Sequence, residues 1–186
     1  MRAYVFWHYP RPDADLREYE RSLRDFHATL AGAGSDGFVE SGAHAVEGAP
    51  WLPTGAGYED WYLVESSAAL DPLDEAAVST RTRASHDRVA RMADGGAGGV
   101  YRLRRDGGPA AETSTCIWVR KPAGHAYDAF HADLERRLPA DASVWQRQMV
   151  LGPAPEYGIV LPGDVTDPPV PDAWTPVVVR RRRVWP

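Results

Sequence analysis

The sequence predicts an α+β protein built from two copies of a β-α-β-β-α-β unit, the second copy lacking most of its second helix. Three observations carry this. Phe26-His27-Ala28-Thr29-Leu30 returns about a hundred residues later as Phe130-His131-Ala132-Asp133-Leu134, each pentapeptide follows an aromatic-rich apolar run, and each lies on a stripe of helical spacing. A repeated spacing that brings its own preceding strand marks a duplicated supersecondary unit. The expected halves are 1–106 and 107–186, sharing one core.

Residues 3–9, Ala-Tyr-Val-Phe-Trp-His-Tyr, form an aromatic and β-branched run that stops at Pro10, which predicts a strand covered on both faces. Tyr4, Phe6 and His8 share one face and Val5, Trp7 and Tyr9 the other. Asp13 or Asp15 can then cap a helix in which Leu16, Tyr19, Leu23, Phe26 and Leu30 recur at steps of 3 and 4. Ala31-Gly32-Ala33-Gly34 is its exit. A strand is expected from Phe38 to about Ala45, then a long loop from Glu47 to Tyr58 carrying Trp51, which reads as a lid over a pocket or as an oligomer contact.

Asp60–Glu65 reads as a strand, and Leu70–Val78 and Ser85–Met92 as short helices, the second capped by Ser85. Gly95–Gly99 should end that helix, with a fourth strand from Val100 to Arg104. A polar linker at 105–113 precedes the second copy. There Thr115–Arg120 matches the first strand with Trp118 on Trp7, and Tyr127, Phe130, Leu134 and Leu138 supply the helical stripe. Val144–Leu151 is expected as a strand, and Glu156–Leu161 echoes Glu59–Val64. Prolines and aspartates between Pro162 and Pro176 leave no room for a long helix. Val177–Val184 closes the chain as a strand, with Arg180–Arg183 expected to be solvated along an edge.

Composition narrows the class. With 186 residues, 44% of them hydrophobic, the chain can bury a core, and a net charge of -5 lacks the basic face that a phosphate backbone requires, so nucleic acid is excluded as a partner. Cys116 is the single cysteine, which excludes an internal disulfide and a thiolate zinc cluster and suits a reducing compartment. The apolar run at Ala3–Trp7 is too short for a signal-peptide core and no window approaches a membrane span. The expectation is a cytoplasmic protein, monomeric or homodimeric, with a small-molecule ligand and no membrane partner.

Two such units in tandem, each with one apolar sheet face left over, resemble the dimeric α/β-barrel (ferredoxin-like) superfamily folded within one chain. Trp61-Tyr62-Leu63-Val64 followed by Ser85-His86-Asp87-Arg88-Val89-Ala90 is similar to the strand and histidine-opened helix of Dabb-type proteins, with EthD-like proteins and antibiotic-biosynthesis monooxygenases as further relatives. The resemblance implies an apolar pocket between sheet and helices. Its members include cofactor-free monooxygenases, isomerases, cyclases and haem-binding proteins. It therefore implies a cofactor-free enzyme acting on an aromatic or polyketide-like substrate, with a non-catalytic stress or binding protein and a haem protein as alternatives.

His86, expected in the first turn of a helix, would act as the base, because the positive helix end favours a neutral imidazole. A surface histidine beside Asp87 is the plainer reading. His27 lies one step from the core stripe, and its recurrence as His131 fits inherited packing as well as a site. His8 has no counterpart in the second copy, where Val119 stands, which is what a single pocket would show, although a satisfied core histidine would look the same. His8, His27 and Tyr62 are assigned to orient substrate. Trp7, Trp51, Trp61, Tyr62 and Tyr101 could line one aromatic cavity, with His44 on the same side, and ordinary core packing is the alternative. No metal site is expected: His131 and Glu135 stand four apart with no third ligand. An active site would be one pocket walled by at least two of His8, His27, His44 and His86.

Overall fold

The computed structural model describes residues 1–108 and 113–186. The first half runs β1 (Arg2–Pro10), α1 (Leu16–Ala33), β2 (Phe38–Glu47), β3 (Ala56–Val64), α2 (Leu70–Ala77), α3 (Arg83–Met92) and β4 (Ala93–Arg105). The second runs β5 (Thr113–Val119), α4 (Tyr127–Arg137), β6 (Ser143–Arg147), β7 (Tyr157–Pro162) and β8 (Val177–Trp185). Between β7 and β8 only a 3-10 turn at Asp172–Trp174 remains of the second helix. The expected linker at 105–113 runs through residues 109–112, which lie outside the described residues.

All strand pairs are antiparallel and close into one barrel of order β1-β3-β2-β8-β5-β7-β6-β4. Each half contributes four consecutive strands of that order, β4-β1-β3-β2 and β6-β7-β5-β8. The halves meet at two equivalent seams, β2 with β8 and β4 with β6. That is the isologous arrangement of a two-fold dimer, made here within one chain. Closure leaves no sheet edge among the described strands, so the expectation of a solvated arginine edge is corrected. β8 is hydrogen-bonded on both sides, and alternation sends Arg181 inward, where it is buried, while Arg180 and Arg182 stay exposed.

The period of two separates two faces throughout. Ala3, Val5 and Trp7 point into the barrel with Trp61, Tyr101, Trp118, Trp145 and Val179, all buried in one cluster. Ring centroids lie 5.5 Å apart for Trp7 and Trp118 and 5.2 Å apart for Trp61 and Trp145, in edge-to-face arrangements. Outside the barrel, α4 and the 3-10 turn cover the second half with Phe130, Leu134, Tyr157, Ile159 and Trp174. α1, α2 and α3 cover the first half through Tyr19, Leu23, Phe26, Leu30 and Leu73.

Several local expectations shift. Asp15 is the cap of α1, accepting from the Arg17 and Glu18 amides, and Leu16 is exposed, so the buried stripe begins at Tyr19. β2 runs to Glu47 and β3 starts at Ala56, which shortens the expected long loop to 48–55. That loop turns inward to plug one barrel end, with Leu52 buried and Trp51 against Trp7 and Trp118 at ring distances of 5.5 and 5.7 Å. Ala154, in the corresponding hairpin of the second half, packs into the same cluster. β6 ends at Arg147 rather than Leu151, and Met149, Val150 and Leu151 are exposed.

α3 begins at Arg83, not Ser85, and the Ser85 hydroxyl donates to the Thr82 carbonyl at 2.8 Å instead of capping. The glycine run is no helix exit but the opening of β4. A Cβ at Gly96 would sit 2.5 Å from Phe6 Cζ, and one at Gly98 2.5 Å from Tyr4 Cε2. Glycine is required there because the β1 rings lie flat across the neighbouring strand. The register also corrects one echo. Trp7 faces Glu59 across β1 and β3, whereas Trp118 faces Gly158 across β5 and β7, so Glu59 corresponds to Gly158 and not to Glu156.

Candidate functional site

Glu59 and Asp60 are consecutive on β3, so their carboxylates leave opposite faces of the sheet. Glu59 enters the barrel. It accepts from the indole N–H groups of Trp7 and Trp61, both at 2.6 Å, and its Oε1 lies 3.1 Å from Arg181 Nε. The Arg181 guanidinium stacks over Trp61 at 5.4 Å, and its Nη2 lies 3.0 Å from His44 Nδ1. Burial and then the charges of Arg181 and Arg183 hold the His44 imidazole well below its ordinary range, so it stands there as a neutral ring.

Asp60 faces the helices. Its Oδ2 accepts from the Tyr62 hydroxyl at 3.0 Å and lies 3.2 Å from His8 Nε2 and 3.4 Å from His27 Nε2. Both imidazoles are at ion-pair distance from the carboxylate, outside strict hydrogen-bond alignment. The far side of each ring is held: His8 Nδ1 is 2.5 Å from the Tyr19 hydroxyl and His27 Nδ1 is 2.8 Å from Ser41 Oγ. Burial would push the Asp60 carboxyl up, yet the charges of His8 and His27 outweigh it and hold the group well below the usual carboxylate range. Asp60 is an anion at any ordinary pH. Burial first, and then the Asp60 charge, pushes the Tyr19 and Tyr62 phenols far up, so both are hydroxyls.

This cluster forms the floor of a cleft of about 790 Å³ between the outer face of β1, β3 and β4 and the helices α1, α2 and α3. His8, Asp60 and Tyr62 line the floor, and Tyr4, Phe6 and Phe26 supply aromatic walls. Tyr4 and Phe6 are half-buried, packed against the cluster of Phe26, Leu30, Tyr62 and Leu73. A second cavity, about 800 Å³, opens at the unplugged end of the barrel and is lined by His44, Trp61, Trp145 and Arg181 among others.

His8 and His86 thus share the cleft, His27 lies buried behind its floor, and His44 belongs to the barrel interior. His86 is the fourth residue of α3, past its first turn. It is 37% exposed, with Nδ1 3.1 Å from Asp87 Oδ1 and its ring against Phe26. The dipole argument for it therefore loses its positional basis. The single aromatic cavity expected from Trp7, Trp51, Trp61, Tyr62 and Tyr101 is also corrected. Tyr62 faces the cleft, while the other four pack inside the barrel against one another.

In the second half the corresponding positions are apolar: Val119 replaces His8 and Ile159 replaces Asp60. Trp174 fills the space over Phe130 at a ring distance of 4.7 Å. His131 is retained, with Nε2 2.9 Å from the Tyr157 hydroxyl and Nδ1 3.0 Å from Arg104, and no metal-binding group occurs among the described residues. Asp60, Tyr19, Glu59 and Arg181 carry the two networks and were not singled out by the sequence. The available signal was an acidic pair inside an otherwise apolar strand.

No family model and no curated protein matches the sequence. Among solved structures, a monooxygenase-like protein from Lactobacillus acidophilus aligns with a TM-score of 0.59 at 12% identity, covering 98% of this chain and 94% of that one. A chlorite dismutase-like protein aligns at 0.54 and 12% identity over 98% and 94% of the two chains. The chain has the dimeric α/β-barrel fold. An anthrone oxidase-like protein shares it, with a TM-score of 0.52 at 9% identity over 98% of this barrel and 90% of that chain. At such identities the likeness is one of fold, and activity must be argued from the cleft. No helix among the described residues is long and apolar enough to cross a membrane.

Proposed function

We propose that the cleft of the first half binds an aromatic or polyketide-like molecule and that the protein is a cofactor-free enzyme starting its reaction by proton abstraction. One observation carries the reading. His8 lies on the cleft floor with one nitrogen held by Tyr19 and the other 3.2 Å from an ionised, buried Asp60. Such an imidazole keeps its Nε2–H toward the carboxylate, takes a proton at Nδ1 through the cleft-lining Tyr19 hydroxyl, and has its new charge stabilised by Asp60. His27 and Tyr62 fix Asp60 in place, and His86 faces the substrate from the opposite wall. His8, not His86, is the base in this reading, since His86 pairs with Asp87 at the surface.

Abstraction of an acidic C–H leaves a delocalised carbanion, which dioxygen can oxidise. For an anthrone the ring CH₂ becomes a second carbonyl, one O₂ supplying that oxygen and one water. The neighbours named monooxygenase-like and anthrone oxidase-like support oxygenation over isomerisation or cyclisation. Incubation with anthrone should consume oxygen and give the quinone chromophore, and His8→Gln and Asp60→Asn should each lower kcat by about 10²-fold or more, with Asp87→Asn close to wild type. Turnover unchanged in His8→Gln would sink the assignment, and absence of both binding and turnover would leave the non-catalytic alternative.

Haem is a poor occupant of this cleft. Its two propionates call for cationic partners, and the lining carries four aspartates and no lysine or arginine. No step is assigned to it.

A further inference from the structure

The charge of the cleft wall says more about the ligand than its shape does. Besides Asp60 on the floor, Asp71 and Asp74 on α2 and Asp94 at the start of β4 line the cleft, all three exposed at its rim. Two histidines and no lysine or arginine accompany them. Acidic rims are common, and alone this one would mean little. The floor supplies the second observation: Asp60 is 2% exposed, and its Oδ1 has no hydrogen-bond partner among the described residues. A buried carboxylate oxygen without a donor is costly, and a donor on a bound molecule would satisfy it. The field of these carboxylates is felt at Tyr4, whose hydroxyl is pushed up by burial first and then by Asp60 and Asp74.

We infer that the cleft selects a cationic ligand: a flat apolar body bearing a protonated amine or another N–H-rich positive group. The inference rests on the cleft being the ligand site proposed above and names its substrate class. The aromatic rings of Tyr4, Phe6 and Phe26 present π-faces that suit both a flat ring system and a nearby cation. An anionic molecule of the same shape would meet the three rim carboxylates with no lysine or arginine in the lining to offset them, which discriminates by repulsion as much as by attraction.

Three fluorescent three-ring probes of matched shape test this: aminoacridine (cation), anthracenemethanol (neutral) and anthracene carboxylate (anion), each titrated into the full chain. The cation should bind about tenfold or more tighter than the anion, with the neutral probe between and the gap narrowing as salt is raised. The triple variant Asp71→Asn, Asp74→Asn, Asp94→Asn should erase most of that gap while leaving the neutral probe within about twofold. Ala90→Trp, which places an indole into the cleft from α3, should abolish binding of all three, with circular dichroism checking that the fold persists. If Ala90→Trp blocks every probe but the three bind equally, or the anion binds best, charge selection is overturned and the cleft stands. If Ala90→Trp blocks none of them, the cleft is not the binding site and both readings fall together.

Discussion

Replacing Glu59 by leucine tests the barrel network most directly. The carboxylate is fully buried, and its removal leaves the Arg181 guanidinium, whose side chain is 4% exposed, without a counter-charge. His44, its remaining neighbour, is a neutral ring and cannot replace the anion. Breaking a buried pair in this way costs about 3–5 kcal/mol. Two indole N–H groups also lose their acceptor, each worth about 1 kcal/mol net. The contributions overlap, so about 4–5 kcal/mol is expected for Glu59→Leu, a large share of the roughly 5–15 kcal/mol of a typical domain. The double variant Glu59→Leu, Arg181→Leu removes both charges and should cost only about 1–3 kcal/mol, a coupling of at least about 2 kcal/mol. Urea unfolding followed by tryptophan fluorescence measures each corner of the cycle. A single-variant cost below about 1 kcal/mol, or a double variant as unstable as the sum of the singles, would refute the buried-pair account.

The buried Asp60 anion and the packing of β1 on β4 each make a further outcome measurable. The folded Asp60 carboxyl lies below its unfolded value of about 3.9, so its contribution to stability is complete above about pH 4 and is lost as the pH falls further. The urea midpoint of the wild type should therefore drop more steeply between about pH 4 and pH 2 than that of Asp60→Asn, and parallel curves would contradict it. Gly96→Ala should destabilise by about 1–3 kcal/mol through forced movement of Phe6 and of the Trp7 carbonyl, while Gly55→Ala, with open space around its Cβ and only a positive φ to oppose it, should cost about 1–2 kcal/mol and leave the Phe6 environment unchanged by NMR.

The duplication was legible because both of its periods are local. The Phe-His-Ala echo, the alternation in residues 3–9 and the stripe from Tyr19 to Leu30 can each be read in a short window. Barrel closure is not local. Nothing in residues 177–185 says whether a second strand lies beyond the first, and so the arginine run reads as an edge until β2 and β5 are both found beside it. Its own alternation held a clue, since Arg181 and Arg183 share a face that Arg180 and Arg182 do not. The glycines at 95–99 misled for a different reason. The same composition ends a helix or clears space for a ring, and only the register of β1 on β4 distinguishes them. At the site, His8 could be singled out by its mismatch with Val119, but Asp60 could not be tied to it. The two are neighbours only because β1 lies antiparallel beside β3, fifty-odd residues later in the chain.

The seams between the halves carry one more consequence. In a barrel assembled from two separate chains, the β2–β8 and β4–β6 pairings would be intermolecular, and dilution would pull them apart. Covalent continuity turns that encounter into a unimolecular one, governed by a fixed effective concentration instead of by the amount of protein present. It also releases the halves from being identical. A two-fold assembly must place the same residues at both positions, so any change that opens one cleft opens the other and weakens the particle twice. Here Trp174 and Ile159 fill the outer face of one half, and the other half is left free to keep a buried anion and two imidazoles that a plain core would exclude.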